Sequence, residues 1–196
     1  MKRGKAAVAN NDLSNQSVAM KYYNQGNDGL CGVYAALNAY SYLLEKIGDP
    51  LTNDQHYPLF DAAIDCLMRG KSIPNDRSAL RIVKNNAEEG GINQQQIAEL
   101  CTSLGKWLKI AVDVEAGPKK SGSISFAKLF SRERENGTDF ALIVAERGGG
   151  HWVAAVPHRS KSHFRVIDND APRRMRLEDQ SRNWVAGESI VLRLSA

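Results

Sequence analysis

The sequence predicts an α+β fold in which a helical part comes first and an antiparallel sheet follows. In the first half, apolar residues recur at helical spacing and glycines separate the segments. In the second half, short alternating or apolar runs are joined by short polar turns, which is typical of neighbouring antiparallel strands. Helices followed by strands in a chain of 196 residues indicate one α+β domain.

Four helices are predicted in the first half. The first covers 31–47, because apolar residues line one face, Asn27-Asp28-Gly29 gives a start signal and Gly48-Asp49-Pro50 gives a stop. Weaker patterns of the same kind predict helices over 54–68, 77–88 and 94–106. Residues 1–20 are polar and weakly periodic, so we expect a flexible N-terminal arm there and a single domain over 21–196.

The second half contains the predicted strands. A short helix is expected over 126–134, between the first strand and the others. The predicted strands cover 108–114, 139–145, 151–156, 163–167 and 190–194. The short turns between the middle strands favour an antiparallel sheet.

Composition excludes several classes of protein. A hydrophobic content of 42% and a charged content of 24% are typical of an ordinary globular domain. No apolar run approaches the roughly 20 residues of a membrane span, and the basic N-terminus lacks the apolar segment of a secretory signal. Three widely spaced cysteines do not form a disulfide framework. We therefore predict a cytoplasmic protein, or one exported by a route that needs no signal peptide.

The sequence predicts neither a nucleic-acid partner nor a bound metal. The net charge is only +4, and the basic groups Lys119-Lys120 and Arg173-Arg174-Met175-Arg176 have no aromatic groove beside them. They are interpreted as solvated surface. No paired Cys-x-x-Cys and no His-Glu-x-x-His occurs, so we expect no metal site and no cofactor.

Cys31 is the candidate nucleophile, because it opens the first predicted helix. The positive end of a helix and a nearby imidazolium both favour the thiolate over the thiol. Cys66 and Cys101 lie within predicted helices on apolar faces, where packing in the core is the simpler interpretation.

His151 is the candidate general base, because it follows three glycines and opens an apolar strand. Asp168 and Asn169 close the next strand, and either side chain could orient the imidazole by accepting its N–H. Side chains alternate along a strand, so Asp168 lies on the same face as Val166 and Asn169 lies on the opposite face. Only one of the two can therefore face the histidine.

These residues resemble the papain-like cysteine peptidase fold, in particular bacterial leader-processing peptidases and papain-like bacterial effector proteins. In that family a glutamine six positions before the catalytic cysteine donates to the oxyanion hole, and Gln25 has this spacing from Cys31. The resemblance favours Asp168 as the third member of the triad, with Asn169 as the alternative. The matched pieces lie in 25–47 and 139–170, and the Leu30 and Gly32 that flank the cysteine depart from the plant papain signature.

The resemblance implies a hydrolase that cleaves an amide bond, first of all a peptidase acting on a protein or peptide. A glutamine or asparagine side-chain deamidase, or an acyl-transfer effector of the same fold, is the alternative. An inactive papain-like binding module is a second alternative. Trp152, Gly149 and Gly150 are candidates for the substrate cleft, and Trp184 is either core or a lid over the site. The oligomeric state stays open.

Overall fold

The computed structural model describes most of the predicted domain. The described residues are 22–23, 30–69, 92–117, 124–147, 151–168, 172–180 and 184–195. The predicted arm over 1–20 and the predicted helix over 77–88 lie outside them.

Five helices are present in the described residues. They are α1 (Cys31–Lys46), α2 (Asn53–Arg69), α3 (Gln94–Leu108), α4 (Phe126–Glu135) and the short α5 (Leu177–Gln180). The helices predicted over 31–47, 54–68, 94–106 and 126–134 are confirmed as α1 to α4, with small shifts at their ends. None of the helices in the described ranges is both long and apolar enough to cross a bilayer.

The ends of α3 explain one error in the sequence prediction. The helix begins with a capping box, in which Asn93 Oδ1 accepts from the Gln96 N–H at 3.0 Å and Gln96 Oε1 accepts from the Asn93 N–H at 2.9 Å. It ends at Lys109, whose φ of 57° is left-handed. The strand predicted to begin at Leu108 is therefore wrong at its start, because that residue still belongs to the helix.

The sheet is antiparallel, as predicted, and has six strands in the order β1-β6-β2-β3-β4-β5. The strands are β1 (Val112–Ala116), β2 (Phe140–Glu146), β3 (Trp152–Pro157), β4 (His163–Ile167), β5 (Arg173–Arg176) and β6 (Trp184–Leu194). β5 and α5 were not predicted, and β6 begins six residues before the predicted strand over 190–194. β5 is basic and has no apolar alternation, so its pairing with β4 leaves no signal in the sequence.

The sheet separates two cores, and alternate residues of the central strands enter one or the other. Ala154, Val156 and Ile167 face the first core, which the helices α1, α2 and α3 cover. Val153 and Val166 face the second core, which α4 covers. Trp184 is buried in the second core, and its ring centroid lies 6.2 Å from that of Phe126. Of the two positions that the sequence left possible for this residue, core or lid, the structure shows the core.

A buried carboxylate ties α4 to β6. The Glu133 side chain is fully buried, and its Oε2 accepts from Arg193 Nε at 2.6 Å. Its Oε1 accepts from Arg132 Nη2 at 2.7 Å. Burial acts to raise the pKa of Glu133, but the hydrogen bonds and charges of Arg193 and Arg132 outweigh it and hold the pKa below its usual range. Both oxygens are thus satisfied by cations.

Helix α1 packs on β2 and β3, which confirms the predicted layout of a cysteine helix on an antiparallel sheet. The start of this helix also meets α3 closely. A Cβ on Gly32 would lie 2.7 Å from a carbon of Ile92 and 2.9 Å from one of Ile97. Glycine therefore follows Cys31 because the space beside the helix start is filled by the entry to α3.

Candidate active site

Cys31 is the first residue of α1, and its half-buried side chain forms no disulfide. The N-cap residue Leu30 supplies no side-chain cap, and the first turn contains no acidic residue. The N-terminal end of α1 therefore keeps the partial positive charge of its peptide dipoles near the thiol. Such a position favours the thiolate form that a nucleophile needs.

The other two cysteines lie in different surroundings. Cys101 is fully buried within α3, and this burial raises the pKa of its thiol. Cys66 is half-buried in α2 and packs against the first core. Cys31 is thus the cysteine that stands at a helix start.

His151 and Asp168 lie at the same end of two neighbouring strands. His151 directly precedes β3, and its carbonyl accepts from the Glu146 N–H at 2.9 Å. Asp168 directly follows β4, which pairs with β3 through Ala154 and Ile167. His151 Nε2 lies 3.9 Å from Asp168 Oδ2. Because Nε2 is the nitrogen that faces the acid, Nδ1 is left to exchange a proton with a thiol.

The packing of α1 along β3 brings the cysteine end of the helix toward this pair. Near the far end of α1, the Arg165 guanidinium lies 5.6 Å from the centroid of the Tyr42 ring, and Arg165 pairs with Val156 of β3. From Tyr42 back to Cys31 the helix rises about 16 Å, and from Val156 back to His151 the strand rises about 16 Å. Because α1 packs on β2 and β3, and because Lys46 at its end lies 4.0 Å from Asp139 just before β2, these similar rises indicate that Cys31 and His151 lie toward the same end of the α1–β3 pair.

Arg173 is a neighbour of the acid that sequence reasoning missed. Its Nη2 donates to Asp168 Oδ2 at 2.6 Å, the same oxygen that faces His151. The contact arises because Arg173 opens β5, where it pairs with Val166 of β4. The sequence shows an arginine five residues after an acid at a strand end. It does not show that the two side chains meet, because that contact depends on the pairing of β5 with β4.

Asn38 was also missed, and it holds the segment that leads to Gln25. Its fully buried side chain accepts from the Tyr23 N–H at 2.7 Å through Oδ1 and donates to the Tyr23 carbonyl at 3.2 Å through Nδ2. The Tyr23 hydroxyl donates to the carbonyl of His56 at 2.7 Å. Asn38 stands two helical turns after Cys31, so α1 carries both the thiol and this anchor.

The remaining candidates fall into two groups. Trp152 is 6% exposed and packs into the first core at the start of β3. Gln25, Gly149, Gly150 and Asn169 lie outside the described residues. Within the described ranges, no three His, Cys, Asp or Glu side chains are grouped so that they could hold a metal ion.

Comparison with known proteins finds matches among solved structures. No protein-family model matches the chain, and no curated protein matches it either. The peptidase domain of Streptococcus ComA, a bifunctional ABC transporter involved in a quorum-sensing pathway, aligns with a TM-score of 0.48 and 12% identity, over 90% of this chain and 99% of that domain.

Two further solved structures align over most of their length. One is a double-glycine-motif protease from an AMS/PCAT transporter in complex with the leader peptide, with a TM-score of 0.46, 10% identity, and coverage of 89% of this chain and 91% of that one. The other is the Pseudomonas avirulence protein AvrPphB, with a TM-score of 0.40, 12% identity, and coverage of 86% and 95%. At such TM-scores the chemistry has to be argued from this chain's own residues.

Proposed function

We propose that this chain is a papain-like cysteine hydrolase that cleaves an amide bond of a protein or peptide, and foremost a peptidase. The observation that carries the proposal is the approach of His151 to Asp168, at the end of the sheet against which the Cys31 helix packs. A thiol at a helix start, an imidazole and a carboxylate are the three groups that thiol-based amide hydrolysis needs.

The first half of the reaction forms a thioester. The Cys31 sulfur, having given its proton to Nδ1 of His151, adds to the amide carbonyl carbon. The negative charge that develops on the carbonyl oxygen is stabilised by the N–H of Cys31 and, by the family spacing, by the side chain of Gln25. The C–N bond then breaks, and His151 returns the proton to the leaving amine.

The second half releases the acid product. His151 removes a proton from water, and the resulting hydroxide attacks the thioester carbon. The C–S bond then breaks, and the released Cys31 sulfur takes back a proton from His151. In both halves the Asp168 carboxylate holds Nε2 and stabilises the imidazolium. We assign the third role to Asp168, because its Oδ2 faces the ring of His151.

The test is product analysis with a matched cysteine control. The purified chain is incubated with a mixture of proteome-derived peptides, using wild type, Cys31→Ala and Cys66→Ala, and the products are read by mass spectrometry. New peptide termini that need Cys31 but not Cys66 support a peptidase. Conversion of side-chain amides to acids with the same dependence identifies a deamidase instead. Products that are the same in all three samples contradict the hydrolase proposal and favour a binding module.

A further inference from the structure

The Asp168 carboxylate has two neighbours at one oxygen. Arg173 Nη2 donates to Oδ2 at 2.6 Å, whereas His151 Nε2 lies 3.9 Å from the same atom. A carboxylate oxygen has two lone pairs, so the arginine does not exclude the histidine. The acid is therefore held on one side by a cation and faces the imidazole on the other.

Arg173 comes from an element that has no other part in the proposed chemistry. It opens β5, and its backbone pairs with Val166 in β4, the strand that ends just before Asp168. Its side chain is 59% exposed, whereas that of Asp168 is 15% exposed. The arginine thus reaches from the surface back to a largely buried carboxylate.

An acid at the end of a strand needs such an anchor. Asp168 lies after the last paired residue of β4, so the ladder no longer fixes the direction of its side chain. A charge-assisted hydrogen bond from a guanidinium is short, directional and stronger than one between neutral groups. It fixes the carboxylate rotamer and so the position of Oδ2.

We propose that Arg173 is a positioning residue, which holds the Asp168 carboxylate with Oδ2 directed at His151. This inference rests on the proposed function, because it gives Asp168 the role of orienting the base. Arg173 acts only through Asp168 and does not touch the reacting atoms. Its effect should therefore disappear once Asp168 cannot play its part.

The experiment measures how fast iodoacetamide alkylates Cys31 at pH 6, by peptide mass spectrometry, so that no substrate has to be known. At this pH the thiolate depends on a correctly oriented imidazolium. Arg173→Met should slow the alkylation about threefold to tenfold. Arg173→Lys should recover part of the rate. Arg174→Met removes a neighbouring positive charge that contacts His163, and it should leave the rate unchanged.

The decisive comparison is a double-mutant cycle with Asp168→Asn. Arg173→Met should add no further loss in the Asp168→Asn background, because the two residues act as one unit. An unchanged or faster rate in Arg173→Met, or a loss that adds to that of Asp168→Asn, would overturn the proposal. A faster rate would mean that Arg173 draws the carboxylate away from His151.

Failure of the underlying function gives a different result. If wild-type Cys31 reacts no faster than Cys66, and His151→Ala changes nothing, then the triad itself is wrong. If Cys31 is fast and depends on His151 but not on Arg173, only the positioning role is wrong. Melting temperatures measured for each variant separate both cases from a loss of fold.

Discussion

Removing the Asn38 side chain should release the segment that carries Gln25. The Asn38 side chain bonds both backbone groups of Tyr23, through contacts of 2.7 and 3.2 Å. Its side chain is fully buried, so water cannot replace it unless the segment moves. We therefore expect Asn38→Ala to act on both stability and the proposed oxyanion hole.

The size of the effect follows from the two orphaned groups. Leaving one buried polar group without a partner costs about 1–3 kcal/mol, so the N–H and C=O of Tyr23 together set a range of about 2–6 kcal/mol. Once the segment is released, water can rehydrate part of the Tyr23 backbone, which favours the lower half of the range, about 2–4 kcal/mol.

The assay compares Asn38→Ala with Ser41→Ala in urea unfolding. Ser41 is equally buried on α1, but its hydroxyl donates at 2.9 Å to the carbonyl of Leu37 within the same helix. Losing that bond should cost less than about 1.5 kcal/mol. Hydrogen exchange should show a loss of protection at the Tyr23 amide in Asn38→Ala alone. Equal destabilisation by both variants, or a Tyr23 amide that stays protected, would refute the reasoning.

Three further predictions concern other parts of the molecule. Because burial raises the pKa of Cys101, its thiol should stay protonated at pH 8 and react with iodoacetamide only after unfolding in urea, and fast labelling of the native protein would contradict this. Gly32→Ala should cost about 1–3 kcal/mol in urea unfolding, because the added Cβ would lie 2.7 Å from a side-chain carbon of Ile92, and unchanged stability would show that the neighbours yield freely. Glu133→Gln should cost about 1–3 kcal/mol at neutral pH. The pKa of Glu133 is lowered in the folded protein, so its contacts with the two arginines stabilise the fold above the unfolded-state pKa of about 4.3. This stabilisation is lost as the pH falls through the lower folded-state pKa. The stability curves of wild type and variant should therefore converge in acid and not in base.

The fold was largely predictable, because most elements bury an apolar stripe that leaves a periodic signal. β4 was predicted over 163–167, and the structure has it at His163–Ile167. β6 was predicted only from residue 190, because Gly187 and Glu188 interrupt its apolar pattern. Its pairing with β2 shifts register between Val144 and Ala145, so the strand continues past an irregularity that no period of two can reveal.

The candidate site was predictable only in its chemical groups. A cysteine at a helix start and a histidine at a strand start are visible in the sequence, because caps and glycines mark the element ends. Arg173 and Asn38 carry no such mark. One looks like a surface arginine and the other like a polar residue within a helix, and each acquires its role from a contact that the fold creates.

We expect the alignment of the proposed triad to depend on how closely α1 lies on the sheet. Ala35, Ala36 and Ala39 of α1 are fully buried in the first core, together with Ala141 and Ala154 of the sheet. Small side chains let a helix approach a sheet closely and leave little room for sliding. Cys31 belongs to α1 and His151 directly precedes β3, so we expect this packing to govern the distance between the thiol and the imidazole. We therefore predict that the proposed triad depends on these buried alanines as well as on its own side chains.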